Sequence, residues 1–477
     1  MNQFRPRRLA AASVLALSVA LAACTPTQRA FSSGDVAEAG RIAAGADFAK
    51  AGDNDLAPMC KALQQTGRFT RFDACMTELR ARISRNDGHM VVSDIPGGGD
   101  WRDGLSFTRA WSVASVEVLA AEAALARGRQ DKAANHARIA LKAADTGAFD
   151  LLDDGEPEDM DMEHGREINR IDALRVLGTV EARQGDMTAA DARVARLEAL
   201  QLGSGFDLND LSGRRGSAVA QIHLAAGRPD AARAALDGAG SAADVTRLLA
   251  QLNPLVLAGT LVTGVGVGDV WFQQEQQERL TLALADLGAG NTDQAKAGFD
   301  AVLSDRRVEG DVGVLWRALH GRAQVALSRG DRAGAIPDLV RAAETVAAQR
   351  RSLAGEEARL TFGDATHDDL HADLIGALTD EGRGAEALAW AERAKARALV
   401  DLLANKRSFA AAGPEADAAL RRYEREVEAA RQSAAAAGTP MAEAVAPARA
   451  ALEAGAPRLA PLVAAPALTG AELASLV

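Results

Sequence analysis

The chain has 477 residues and a formal net charge of −11, from 54 Lys and Arg against 65 Asp and Glu. An acidic protein of this kind is poorly suited to bind nucleic acid, so we expect no nucleic-acid partner. Aromatic residues make up only 4%, and no sustained alternation of β-branched residues occurs. A core of Ala, Leu and Val therefore predicts an all-α fold of closely packed helices.

The N-terminus has the organisation of a bacterial export signal. Arginines at positions 5, 7 and 8 precede an apolar run from Leu9 to Leu21, which is too short to span a bilayer. The following Ala-Ala-Cys resembles the lipobox of bacterial lipoproteins. The resemblance implies a signal peptide over 1–23, cleavage between Ala23 and Cys24, and acylation of Cys24. A plain secretory signal with Cys24 merely nearby is the alternative.

Several acyl chains on Cys24 would give stable membrane anchoring, since one chain alone binds only marginally. Thr25 rather than Asp follows the cysteine, which by resemblance to the lipoprotein sorting rule favours the outer membrane. No later stretch is apolar over about 18 residues. We therefore expect a lipid-anchored, periplasm-facing protein of the cell envelope, with residues 24–34 as a membrane tether.

Residues 35–90 read as an N-terminal helical cap. Helical patterns at 56–63 and 71–83 flank Gly67 and would bring Cys60 and Cys75 together. An oxidising periplasm favours a disulfide between them. The alternative is two buried free cysteines.

One pattern recurs through residues 91–407. An apolar helix ends in Gly, a polar residue or a short turn follows, and an Ala lies five positions after the Gly, where a second helix must pack closely on the first. The glycines are Gly128, Gly185, Gly227, Gly290, Gly330 and Gly382, and the alanines are Ala133, Ala190, Ala232, Ala295, Ala335 and Ala387.

Gly185-Asp186-Met187 and Gly330-Asp331-Arg332 resemble the Gly-Asp-aromatic turn of the tetratricopeptide repeat, although the aromatic is missing in all six turns. Successive glycines also lie farther apart than the roughly 34 residues of that repeat. The resemblance implies a tetratricopeptide-like helical-hairpin solenoid, wound as a right-handed superhelix, whose groove binds a protein or peptide partner.

Three segments suggest chemistry that the residues do not support. The acidic run 150–167 fails the EF-hand ligand pattern, which leaves a solvated loop or weak cation binding. GTLVTGVGVG at 259–268 lacks the lysine of a phosphate loop and reads as a connection or an apolar flap over the groove. His367 and His371 share one helical face but have no third ligand, so surface histidines or a metal site remain. We assign no metal ligand, cofactor or catalytic residue.

EALAWAERAKARALVDLL at 386–403 resembles the last helix before the peptidase domain of CHAT-family proteins, and PALTGAELASLV at 466–477 resembles the linker that follows. Residues 408–477 would then be a helical and Pro-rich linker. The resemblance implies that a caspase-like domain lies downstream, so no residue here inherits its catalytic His or Cys.

Three functions follow. The first is a membrane-anchored scaffold, not an enzyme, that holds a protein or peptide in its groove. The second is the regulatory arm of a CHAT-type cysteine protease. The third is a metal-dependent hydrolase using His367 and His371.

Overall fold

The structure is a computed structural model. It describes residues 25–85, 89–90, 111–145, 160–200, 211–238, 272–353, 362, 365–391, 393, 422–423, 425–426 and 441–455. Over these ranges the chain is helical, apart from an antiparallel pair of two-residue strands, β1 (His89–Met90) and β2 (Trp111–Ser112). The all-α class is therefore confirmed. Two compact units divide the chain at residue 353.

Helices of the first unit follow one another as antiparallel pairs joined by short turns. Their bounds are α1 Pro26–Ser32, α2 Val36–Gly45, α3 Asp53–Gln65, α4 Phe69–Arg85, α5 Val113–Ala126, α6 Gln130–Asp145, α7 Met160–Arg183, α8 Met187–Glu198, α9 Leu211–Ala225, α10 229–238, α11 Phe272–Gly288, α12 Thr292–Ser304, α13 Val312–Ser328 and α14 Arg332–Arg351. Short 3-10 turns lie at Phe48–Lys50 and Arg306–Gly310. The second unit contains α15 Ala365–Asp380, α16 384–391 and α17 Met441–Gly455.

The turn at Gly185 shows why each pair forms. Its amide donates to Ala182 O at 3.0 Å and the next amide, of Asp186, donates to Glu181 O at 2.9 Å, which closes the first helix. Gly185 has φ 81°, a conformation that L side chains rarely adopt. Asp186 then caps the second helix by accepting from the Ala189 amide at 3.0 Å. One dipeptide thus ends one helix and starts the next.

Within the described ranges, eight glycines have this positive φ, between 67° and 81°: Gly34, Gly67, Gly128, Gly185, Gly227, Gly290, Gly330 and Gly382. All six glycines selected from the sequence are among them. The six alanines that follow five positions later are buried, each at most 4% exposed. Gly34 belongs to the same pattern, because Ala39 lies five positions after it and is fully buried.

Residues expected to form a membrane tether, 24–34, are folded from Thr25 onward. α1 covers Pro26–Ser32 and packs on α2 and α3. Thr27 is only 1% exposed. This part of the tether prediction is replaced by a helical hairpin that turns at Gly34.

The first two hairpins also contact helices that lie far along the chain. The Gln65 side chain donates to Gln273 Oε1 at 2.9 Å, and Arg307 Nη1 donates to Ser33 O at 3.1 Å. The Thr70 amide donates to Ser352 O at 3.2 Å. The turn ends of α1–α2 and α3–α4 therefore pack against the start of α11, the turn before α13 and the end of α14.

Cys60 in α3 and Cys75 in α4 are bonded, with S–S 2.07 Å and Cα atoms 5.6 Å apart. Both are fully buried in a cluster that includes Leu56, Leu63 and Leu79.

Several predicted features lie outside the described residues. These are the signal peptide with Ala23 and Cys24, the acidic run as far as residue 159, GTLVTGVGVG, and most of 408–477. Within that last range residues 441–455 form α17, with Pro447 inside the helix.

Replacing Gly321 by Ala should destabilise the first unit. A Cβ there would lie 2.3 Å from Phe299 Cζ, and Phe299 is fully buried. We expect Gly321→Ala to lower the free energy of unfolding by about 1–3 kcal/mol, because the side chains of a packed core cannot move away from the added methyl group without strain. Urea denaturation measures the loss. Gly45→Ala, whose Cβ would meet nothing within 4 Å, should leave stability unchanged or raise it; an equal loss in both would contradict the packing argument.

Removing the disulfide should loosen the α3–α4 hairpin. The bond closes a loop of 15 residues, which constrains the unfolded chain by about 3 kcal/mol. We expect the Cys60→Ala/Cys75→Ala variant to unfold at lower denaturant than the oxidised protein. The matched control is the wild type unfolded with a reductant, which should fall to the same midpoint; no shift in either sample would contradict the assignment.

Candidate functional site

Polar side chains recur at equivalent positions in the first helices of the hairpins. Six residues before the turn glycine stand Lys61, Glu122, Thr179, Gln221 and Gln324. Ten residues before it stand Arg175, Ser217 and His320, and thirteen before it Ser115, Asp172, Arg214, Gln277 and Arg317. Positions three or four apart share one face of a helix. A polar face therefore repeats along helices that are otherwise rich in Ala, Leu and Val.

Five of these side chains form a continuous ladder of alternating charge, which we call the polar row: Lys61, Glu122, Arg175, Asp172 and Arg214. Glu122 on α5 accepts from Lys61 on α3 and from Arg175 on α7. Arg175 lies 3.7 Å from Asp172, one turn before it on α7. Asp172 accepts from Arg214 Nη1 on α9 at 2.9 Å. The row thus connects the first helices of four consecutive hairpins.

Glu122 sits between two cations and is 14% exposed at its side chain. Burial alone raises the pKa of Glu122, but the charges of Lys61 and Arg175 outweigh burial and hold that pKa at about 2. The carboxylate is therefore ionised at every pH at which the protein is expected to work.

Arg214 ends the row on α9. Burial lowers the pKa of its guanidinium, while the charges of Asp172, Glu122 and Glu278 raise it, and the net shift is upward. Glu278 belongs to α11, so the electrostatic influence extends to the next hairpin. Gln221, also on α9, contributes a neutral amide whose Oε1 lies 3.4 Å from Arg175 Nη1.

A second polar group lies where the first hairpins meet α11 and α13. The Gln65 amide, which donates to Gln273, also lies 3.4 Å from Asp311 Oδ2. Asp311 caps α13 by accepting from the Val314 amide at 3.1 Å. Burial raises the pKa of Asp311, opposed by that amide and by the charges of Lys61 and Arg317. Lys61 thus influences both this group and the polar row.

Two polar atoms at these two places are buried without a hydrogen-bond partner: Gln65 Oε1 in the second group and Arg214 Nε in the polar row. A buried amide or guanidinium atom left unpaired costs free energy, so such atoms are uncommon in folded proteins. The side chains of Lys61 and Arg214 keep 32% of their surface exposed. The exposed parts of the Lys61 and Arg214 side chains can therefore contact a bound molecule.

Chemistry by metal or nucleophile finds no support in the described ranges. No group of three His, Cys, Asp or Glu there could hold a metal ion. His371 Nδ1 lies 2.8 Å from His367 O, and His367 is 8% exposed with its ring 5.5 Å from that of Phe362. His367 is thus a packed residue rather than a surface one.

Among the residues predicted from the sequence, the structure brings Cys60 and Cys75 together and places the six glycines at helix turns. It does not describe Cys24. The polar row was not predicted, because ion pairs between separate hairpins depend on how the hairpins pack.

No family model, no curated protein and no solved structure matches this chain.

Replacing Glu122 by Gln should destabilise the fold in a pH-dependent way. The pKa is about 2 in the folded chain against an ordinary 4.5, so ionisation contributes stability that is present above pH 4.5 and lost as the pH falls towards 2. We expect Glu122→Gln to lose on the order of 2–3 kcal/mol at pH 7, and less at pH 3.5.

Urea denaturation of wild type and variant at both pH values measures the difference. Glu38→Gln is the matched control, since Glu38 pairs with Arg41 on the surface and should change stability little. A loss in Glu122→Gln that is the same at pH 7 and pH 3.5 would show that ionisation of Glu122 does not stabilise the fold.

Proposed function

We propose that this chain is a lipid-anchored scaffold of the bacterial cell envelope. Its helical hairpins stack as a tetratricopeptide-like solenoid, and the polar row lines a groove that holds an extended segment of a protein partner. The observation that carries the proposal is the ladder of ion pairs that joins the first helices of four consecutive hairpins.

Contacts between hairpins support the solenoid. Ion pairs join α3 to α5, α5 to α7 and α7 to α9 in chain order. The turn of α3–α4 meets Ser352 at the end of α14, since Gly67 O accepts from Ser352 Oγ. An early hairpin therefore contacts a late one, and we attribute this contact to the curvature of the proposed superhelix.

Ion pairing between hairpins also explains the charges of the polar row without a ligand, because buried polar groups between stacked helices need hydrogen-bond partners. Two facts favour a ligand in addition. Arg214, the last member of the polar row, keeps 32% of its side-chain surface exposed, so it can contact a bound molecule in addition to Asp172. Amide side chains such as Gln221 can also bind the N–H and C=O groups of an extended peptide.

Attachment to the membrane through Cys24 rests on the lipobox resemblance. Within the described ranges, no helix has the length and apolarity to cross a bilayer. Several acyl chains would hold the body at the surface. The alternative role as a protease arm is favoured by no described contact and stays a prediction from the sequence at 386–403.

A photo-crosslinking residue at Gln221 tests the groove. We expect irradiation of cells to join this position to a discrete partner, because Gln221 lies beside Arg175 in the polar row. The same residue at Ile139, 42% exposed on α6, is the control and should give no such adduct. The adducts are measured by gel shift and mass spectrometry of the membrane fraction.

Adding Arg175→Ala to the Gln221 variant should reduce the adduct, with circular dichroism showing that the helices persist. An adduct that forms at Ile139 but not at Gln221, or one that Arg175→Ala leaves unchanged in a folded protein, would contradict the groove.

A further inference from the structure

We infer that the end face of the first two hairpins lies directly on a lipid bilayer, so that the protein stands on the membrane by this face. The end face consists of Thr25 and Pro26, the segment 46–52 and the start of α3. The inference rests on the proposed acylation of Cys24 and goes beyond it, because an acylated cysteine alone does not fix how a body is oriented.

Only Thr25 lies between Cys24 and the first helix, α1. Thr25 O accepts from the Arg29 amide at 3.0 Å, which is the first hydrogen bond of α1. Pro26 occupies the first helical position, where its fixed φ favours a helix start. The Thr25 hydroxyl donates to Asp55 Oδ1 on α3. One peptide unit of about 3.8 Å therefore separates the acylated residue from a side chain fixed to the folded body.

Neighbouring segments lie at the same edge. Arg82, near the end of α4, donates to Phe48 O at 2.8 Å and to Ala51 O at 2.7 Å. Lys50 is exposed, with 85% of its side-chain surface open, and Gly52 is exposed as well. The ends of α2 and α4 and the starts of α1 and α3 thus form one face around Thr25.

The opposite edge of the same hairpins is covered by protein. A Cβ on Gly34 would lie 2.7 Å from Phe272 Cδ1, and one on Gly67 would lie 3.1 Å from Val312 Cγ2. Gly310 likewise has no room for a Cβ beside the Ala37 backbone. Because later hairpins occupy that edge, the turn edge of these two hairpins is not available to the membrane.

Acyl chains, rather than attraction to headgroups, would supply the binding. Lys50 is paired with Asp47 at 3.1 Å, and burial raises the pKa of nearby Asp55. The end face is therefore not a basic cluster of the kind that binds anionic lipid by charge. The partner that fits is the bilayer surface into which the Cys24 chains insert.

Two labelling positions test this orientation. Lys50 lies in the end face. Asp293 is 90% exposed at its side chain and follows the turn of α11–α12, two stacked helices away. At 1.5 Å per residue that separation is about 40 Å. Cys60 and Cys75 are bonded and buried, so an added exposed cysteine can be labelled alone.

The full chain, exported and processed, is purified as Lys50→Cys and Asp293→Cys variants, labelled with a fluorophore, and reconstituted in phosphatidylethanolamine–phosphatidylglycerol vesicles that carry a headgroup quencher. We expect the Lys50→Cys label to lose most of its fluorescence and the Asp293→Cys label to keep it. Inserting 20 Gly and Ser residues between Cys24 and Thr25, with a typical span of roughly 25 Å, should restore the fluorescence of the Lys50→Cys label.

Mass spectrometry of the mature N-terminus tests the proposed lipid anchor separately from the proposed orientation. An unmodified Cys24 would overturn the proposed anchor and this inference together. An acylated Cys24 with equal quenching of both labels, or with quenching that the inserted linker leaves unchanged, would overturn the orientation alone and leave the anchor standing.

Discussion

The close approach of two helix backbones at each hairpin is the constraint on which the rest of the first unit depends. Five residues after every described turn glycine except Gly67, which Phe72 follows at that distance, stands a buried alanine such as Ala133, Ala190 or Ala335. A larger side chain there would push the second helix away. Because the helices pack closely, charged side chains on neighbouring first helices can contact one another. The polar row of Lys61, Glu122, Arg175, Asp172 and Arg214 forms in this way.

The hairpins could be predicted from the sequence because their determinants are local. A glycine that adopts positive φ, a capping Asp and a small residue at a fixed distance are readable without knowledge of the fold. Gly34 has all three, although the lipobox-like sequence before it favours a tether over residues 24–34. The pairing of Cys60 and Cys75 was also readable, since a helical hairpin brings its two arms together.

The polar row and the contacts between distant hairpins could not be predicted in the same way. A charged residue within an apolar helix usually indicates a face open to solvent. Glu122 and Arg175 lie six and ten residues before their turn glycines, so their pairing depends on how neighbouring hairpins pack. Gln65 and Gln273 lie 208 residues apart, and no local pattern encodes a contact over that distance.

The contact of Gly67 with Ser352 has a consequence for how the protein reaches its native state. Most hairpins can fold as soon as the next one along the chain is present, which keeps folding fast. The turn edges of the first two hairpins must instead await residues that lie some 280 positions later in the chain. Until those residues are present this edge stays uncovered, which makes the early intermediate the one most prone to aggregation.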